Sequence, residues 1–398
     1  MAIGLLTVEE AKDLLRWRIR SPHFVETTTD VKEAQNEPPS LLTIHRFAQS
    51  LWHSQEYKSG KTIVVCASSL PDQITNSALL VGSFMLLSLD VGPQDVIEAF
   101  RPMAHLLVPY DDEVTVESCW RALGIAKTQC GWLRPAAQRF DEPIESVDET
   151  CIDMEEWAHY DSPLNGGFHV VVPGKLLALD CPSELADGGL WADEGGERRF
   201  GAAFYADVFA DMGVDVVVRG CEASYDAAAF AARGIGVEDL AVRGAAPSLA
   251  DIDRFLDVMR RAPGAVAVHG GAGGLGSAAV LVAVWLITAH GFGAGEALAW
   301  VKMTHPGAGG LPAAQREARK EDPVPRSLRR LWATVCGSRS CSDVLRCDSF
   351  SAGTGCDSAV ACAEPVAGTA GAGFLWEATA GLRRNISAPR IFDFLGRC

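Results

Sequence analysis

A chain of 398 residues, 48% of them hydrophobic, carries enough apolar material for two domain-sized cores. A formal net charge of −16 and an isoelectric point near 5.0 argue against general nucleic-acid or anionic-membrane binding and leave proteins as the expected partners. Twelve cysteines stand without C-x-x-C pairs or companion histidines. That pattern speaks against a metal site or a small disulfide framework and for reduced thiols in the cytoplasm or nucleus.

The first stretch, AIGLLTVEEAKDLLRWRIR, has no basic segment ahead of an apolar run and no small-residue cleavage site, so it reads as an amphipathic helix rather than a signal peptide. A polar connector follows to residue 40. Residues 41–52 suit a helix, 61–67 (KTIVVCA) a buried strand, 72–90 a long apolar helix and 92–103 a helix opened by Gly-Pro. Residues 111–133 suit a further helix pair. The acidic run FDEPIESVDETCIDMEEWAHYD, residues 140–161, is expected to be a solvated interdomain linker.

From residue 164, NGGFHVVVPGKLLALDCPSE supplies two strands around Pro173-Gly174. Helices are expected over 201–212, 225–233, 248–260 and 294–301, with strands over 214–219 and 237–242; Ser248, with Asp251 three residues on, caps the third helix. Alternating strands and helices imply a mostly parallel sheet covered on both faces. The longest apolar run, residues 275–289, falls short of the ~20 residues that span a bilayer, so no membrane segment is expected. Past residue 322, Ser, Gly, Ala and half of the cysteines dominate, and disorder is expected. Arg316, Arg319, Lys320, Arg326, Arg329 and Arg330 read either as a nuclear-localisation or acidic-partner patch or as a solvated helix end balanced by Glu317, Glu321 and Asp322.

The candidate site is the stretch GAVAVHGGAGGLGSAAVLVAVWLITAH, residues 264–290. A β-branched run enters a glycine-rich turn and an Ala/Val/Leu-rich segment leaves it, the order strand, tight loop, helix. Loop amides beside a helix N-terminus favour an anion over residues 270–277. Two readings share this plan. Gly271, Gly273 and Gly276 fit G-x-G-x-x-G, which resembles the cofactor loop of quinone-oxidoreductase-like dehydrogenases; that reading covers only residues 266–283, and Glu296 lies inside a helical pattern rather than at the end of a second strand. The other is the tyrosine/dual-specificity phosphatase loop V-H-C-x-x-G-x-x-R-[ST]. Laid over it, His269 takes the His, Gly270 the nucleophilic Cys, Gly273 the Gly, Gly276 the Arg and Ser277 the Ser/Thr, with Gly271, Ala272, Gly274 and Leu275 between.

The flanks favour the second reading. Residues 164–184, the VDVVVR strand, Tyr225-Asp226, Phe230, Gly234-Ile235, Asp239-Leu240 and residues 264–269 together resemble the catalytic half of the cell-division-cycle-fourteen family of dual-specificity protein phosphatases. TIVVCASSLPDQITNSALLVGSFMLLSLDVGPQDVIEAF resembles that family's non-catalytic N-terminal domain, and residues 155–161 its linker. The resemblance spans about residues 40–320. It implies an α/β protein of two tandem protein-tyrosine-phosphatase-like domains, each a mostly parallel sheet flanked by helices. The expected divisions are 1–40 (helix and connector), 41–139 (non-catalytic domain), 140–163 (linker), 164–322 (degenerate phosphatase domain) and 323–398 (tail).

The same resemblance places the family's reactive groups. The nucleophile falls at Gly270, the phosphate-gripping guanidinium at Gly276, the general acid at Arg243 and the water-positioning glutamines at Ala313 and Ala314; His305 stands where the family has Arg. None of these side chains can do the corresponding chemistry. The expectation is a pseudophosphatase that needs no cofactor, with His269 supporting the loop, Ser277 as a helix N-cap, and Cys181 and Cys221 as small buried hydrophobes. A working phosphatase with unorthodox groups and a nicotinamide-dependent oxidoreductase are the alternatives.

Overall fold

A computed structural model describes residues 2–7, 23–26, 37–54, 63–67, 70–133, 151–185, 188–195, 197–240, 242, 247–271, 275–306 and 374–377. The first half is built on a four-stranded sheet of β1 (Ala2–Thr7), β2 (His23–Glu26), β3 (Ile63–Ala67) and β11 (Phe374–Glu377), ordered β11-β1-β3-β2. The three strands β1, β3 and β2 run parallel, and β11 lies antiparallel on β1. The helix expected at the N-terminus is therefore a strand over Ala2–Thr7: the run AIGLLT aligns with every residue of the buried β3 ladder. Likewise, residues 374–377, within the tail expected to lack structure, pair with β1; the basic cluster 316–330 lies outside the described residues.

Helices α1 (Leu41–His53), α2 (Pro71–Ser88), α3 (Pro93–Phe100) and α4 (Val116–Thr128) complete this half. Ser40 caps α1 and Thr115 caps α4, while Pro71 and Pro93 start α2 and α3 where a missing N–H costs nothing. α2 is buried nearly all round, including Thr75, Asn76, Ser77 and Ser83. Two of its polar groups are bonded in place: the Tyr110 hydroxyl donates to Asn76 Oδ1 at 3.0 Å, and Thr75 Oγ1 donates to the Pro71 carbonyl while accepting from the Val108 amide. Gly82 lets the Trp120 indole lie against the α2 backbone, where its Nε1 donates to the Leu79 carbonyl at 3.2 Å.

The second half is a five-stranded sheet ordered β4-β5-β10-β8-β9, from β4 (Phe168–Val172), β5 (Leu176–Leu179), β8 (Val214–Arg219), β9 (Gly236–Asp239) and β10 (Ala265–His269). Only β4 is antiparallel. The central strand β10 is buried on both sides, as parallel sheets require: Ala265 and Ala267 enter one apolar cluster, Val266 and Val268 the other. The first cluster takes in Tyr205 and Phe209 of α6 (Ala202–Asp211) and Phe230 of α7 (Ala228–Ala232). The second takes in α8 (Leu249–Arg261), α9 (Ala278–His290) and α10 (Ala294–Thr304), then runs without a break into α4, α2 and α1.

The two halves thus share one core. Across the seam Trp132 stacks on Phe292 at 5.8 Å between ring centroids, and Lys302 Nζ meets Asp111 Oδ2 at 2.5 Å. Part of the acidic run expected to be solvated is also built in. Asp153 caps α5 (Met154–Tyr160), Trp157 is 1% exposed, and its ring lies 4.5 Å from that of His169 on β4. Trp157 contributes the apolar surface that a purely acidic reading overlooks; residues 140–150 lie outside the described residues. A β-hairpin, β6 (Trp191–Glu194) with β7 (Glu197–Phe200), adds an element with no counterpart in the sequence reading. Among the described residues no helix is long and apolar enough to cross a membrane.

Candidate functional site

The strands β5, β10 and β8 run side by side and end at one edge of the sheet, where loops of an open parallel sheet gather ligand groups. His269 closes β10 and is fully buried. Its Nδ1 lies 2.8 Å from the Gly270 carbonyl and its Nε2 2.8 Å from the Tyr225 hydroxyl. A carbonyl only accepts, so Nδ1 carries the proton and, in the neutral ring, Nε2 accepts from Tyr225. The histidine expected to support the loop clamps its first residue. On the neighbouring strand the Gly220 amide donates to the His269 carbonyl at 2.8 Å, and a Cβ at Gly220 would stand 2.9 Å from that of Ala278. Only glycine admits that approach of strand end to helix.

Beyond His269 the loop offers backbone and little else. Gly270 is buried, Gly271 is exposed, and Ala272, Gly273 and Gly274 lie outside the described residues. Leu275 is fully buried and pins the far side of the loop. Gly276 sits at φ 51°, with nothing within 4 Å of the place a Cβ would take. Ser277 corrects an expectation: its backbone is already helical and its side chain makes no capping bond. The amides that a cap would serve turn back on the chain instead. Those of Ala278, Ala279 and Val280 donate to the carbonyls of Leu275, Gly276 and Ser277 at 2.9, 3.2 and 3.3 Å, a tight first turn. Those three donors are not directed at an anion.

Arg243, at the general-acid position, and Ala313 and Ala314, at the glutamine positions, lie outside the described residues. The guanidinium at the end of β8, Arg219, is committed: Nε and Nη2 bond the Asp239 carboxylate at 2.5 and 2.9 Å, and Nη1 donates to the Tyr225 carbonyl at 3.0 Å. The pair holds Asp239 below the ordinary carboxylate range, chiefly through the bond from Arg219. His305 is buried inside the protein, its Nδ1 2.7 Å from that of His169, whose Nε2 reaches Asp161 at 2.8 Å. Burial, with His169 adding to it, drives the His305 ring well below its usual protonation range.

What the sequence reading missed is the pair of thiols beside the loop. Cys181, two residues past β5, and Cys221, two past β8, are half-buried and converge on His269 from either side of β10. Cys221 Sγ lies 4.0 Å from His269 Nδ1, and Cys181 Sγ 3.3 Å from Ser224 Oγ. A hydrogen bond from Cys221 lowers the Cys181 thiol against the opposing effect of burial, while the same bond and burial push Cys221 up. Both side chains are thus polar neighbours of the loop, partly exposed, and not apolar fillers of a core. The signal was available in the strand ends, since each thiol follows its strand by the same two residues.

Comparison with known proteins gives the wider setting. Residues 35–126 match the family described as dual specificity protein phosphatase, N-terminal half. The human dual specificity protein phosphatase CDC14C is 27% identical over 283 residues, covering 68% of this chain and 58% of that protein. The Caenorhabditis elegans tyrosine-protein phosphatase cdc-14 is 32% identical over 162 residues, 40% of this chain and 22% of the relative. The chain spans about half the length of the first of these relatives and less of the second. Among solved structures, PTPMT1 is similar over 43% of this chain and 99% of its own, at 15% identity and a TM-score of 0.30. The kinase associated phosphatase with serine at its catalytic cysteine covers 45% of this chain and 99% of its own, at 10% identity and a TM-score of 0.31.

Proposed function

We propose that this chain, which belongs to the CDC14-type family of dual-specificity protein phosphatases, is a pseudophosphatase that binds phosphoproteins, or holds other proteins together, without hydrolysing phosphate. The observation that carries the reading is Gly270. At the end of β10, clamped by His269, the position from which the family resemblance expects a nucleophile has no side chain. Loss of a nucleophile alone lowers turnover by about 10⁶ in a well-studied hydrolase. Here Gly276 also lacks a guanidinium, Arg219 is tied to Asp239, and three amides of the first turn of α9 are closed on backbone carbonyls. The loop sequence supplies no positive side chain to an anion, and among the described residues the first-turn amides of α9 are already bonded, so in this reading a phosphoprotein is held mainly by the surface around the loop. The proposed setting is the cytoplasm or nucleus, and the net charge of −16 disfavours nucleic acid and anionic membranes as partners.

The test uses the full-length chain with p-nitrophenyl phosphate and with phosphoserine and phosphotyrosine peptides, measuring phosphate release and peptide binding side by side. The expected result is no release above the buffer rate. Turnover that co-purifies with the protein would overturn the reading. One observation favours a second one, an active enzyme with an unorthodox nucleophile: Cys181 is acidified beside the loop. In that case release disappears in Cys181→Ser and persists in Gly270→Ala.

A further inference from the structure

We propose that Cys181, Cys221 and His269 form a binding site for a thiophilic divalent cation of the zinc class at the edge of the second sheet. Their three ligand atoms, two sulfurs and a ring nitrogen, all lie within 4.8 Å of one another. A tetrahedral zinc ion, with bonds of about 2.3 Å to sulfur and 2.0 Å to nitrogen, sets its donors roughly 3.5–3.8 Å apart. Small side-chain adjustments therefore close the cluster, and Cys221 Sγ to His269 Nδ1 is already at 4.0 Å. The positions come from the fold and not from a local motif. Three adjacent parallel strands, β5, β10 and β8, each deliver one donor at the same end.

The chemistry of the donors selects the ion. Two thiolates and an imidazole prefer zinc or another thiophilic metal to magnesium or calcium. Binding releases one proton from each thiol to solvent, and the resulting pair of thiolates cancels the charge of the cation, so the closed site is neutral. His269 is prepared for the exchange. When Nδ1 takes the metal, the ring proton passes from Nδ1 to Nε2, the bond to the Gly270 carbonyl is given up, and Nε2 donates to the Tyr225 oxygen 2.8 Å away; a phenol both donates and accepts, so that contact survives. Tyr225 is thus the outer partner that orients the ligand ring. Both cysteines are only partly buried, as entry of an ion from solvent requires. Three protein ligands leave a fourth position open, beside Gly270, for water or an anion.

The experiment titrates cobalt(II) and then zinc(II) into the reduced, metal-stripped full-length protein. One equivalent of cobalt should bind, with a thiolate-to-cobalt charge-transfer band in the near ultraviolet, and zinc should displace it. Cys181→Ser and Cys221→Ser should each weaken zinc binding at least 100-fold, and Tyr225→Phe about 10-fold. The chain carries other cysteines, so a band of full intensity in the Cys181→Ser/Cys221→Ser double variant would place the metal elsewhere and overturn the proposal. X-ray absorption at the zinc edge of the unaltered protein reads the ligand set without any variant. Two sulfurs with nitrogen or oxygen neighbours are expected; four sulfurs, or none, would sink the assignment.

Discussion

Replacing Gly276 by Arg restores a guanidinium to the loop, and the structure sets two effects of opposite sign. The backbone there has φ 51°, a left-handed conformation that costs a residue with a Cβ roughly 1–2 kcal/mol. Space is no obstacle, because nothing lies within 4 Å of the added Cβ. The unliganded variant should therefore be less stable by about 1 kcal/mol. With a tetrahedral oxyanion present the sign reverses, since a hydrogen bond to a charged group contributes roughly 1.5–3 kcal/mol and a guanidinium can place two. One such bond alone corresponds to about a 10-fold to 100-fold tighter Kd for tungstate; the backbone strain is present with and without the anion, so it lowers the stability of both states and leaves the Kd unchanged. Thermal-shift titration of the full-length protein with tungstate reads both effects: a lower melting temperature without ligand and a larger rise with it. Equal responses of wild type and variant to tungstate would refute this, because the wild-type loop would then already bind the anion as well as a charged one.

Two further outcomes follow from the interior. Gly82→Ala would bring a methyl group 2.3 Å from the Trp120 ring, which is 1% exposed and tethered to the Leu79 carbonyl; overpacking of about 1–3 kcal/mol and a weakened indole bond outweigh the ~1 kcal/mol gained in helix propensity, so the urea midpoint should fall by the equivalent of about 2 kcal/mol. His305 is held neutral by burial, so the unfolded chain takes up a proton below about pH 6.5 that the folded chain refuses; stability is full above that value and declines as pH falls below it, by up to about 1.4 kcal/mol per unit. His290, also lowered by burial, adds in the same sense. Asp180, whose carboxyl burial raises, acts in the opposite one at lower pH, so the readout is the difference in slope between wild type and His305→Asn from pH 7.5 to 5.5; equal slopes would exclude the His305 contribution.

The strand and helix around the loop were plain in the sequence because β-branched residues, glycines and a helix-forming run follow one another there: β10 ends at His269, and α9 runs from Ala278 to His290. Ser248 and Asp251 announced their capping box equally directly, each bonding the other's amide. Longer-range facts were not legible. AIGLLT has an apolar pattern that suits helix or strand, and only pairing with β3 makes it a strand. Ser277 looked like a cap because composition cannot show that the first amides of α9 bond the Leu275, Gly276 and Ser277 carbonyls. Cys181, Cys221 and His269 lie at separations of 40 and 48 residues, so no spacing rule joins them; the order of the parallel strands does.

The burial of α9 bears on how far the glycine loop before it can change in length. Every residue of that helix from Ala278 to Ile287 is buried, and its apolar cluster continues into the helices of the first half. Removing or adding a residue between His269 and Ala278 would rotate the whole helix by about 100° and push a different set of side chains into both halves at once. A substitution such as that at Gly276 costs about 1–2 kcal/mol, whereas an insertion shifts the register of the whole helix. The letters of the loop can change singly, while the mechanical register of the molecule holds its outline fixed.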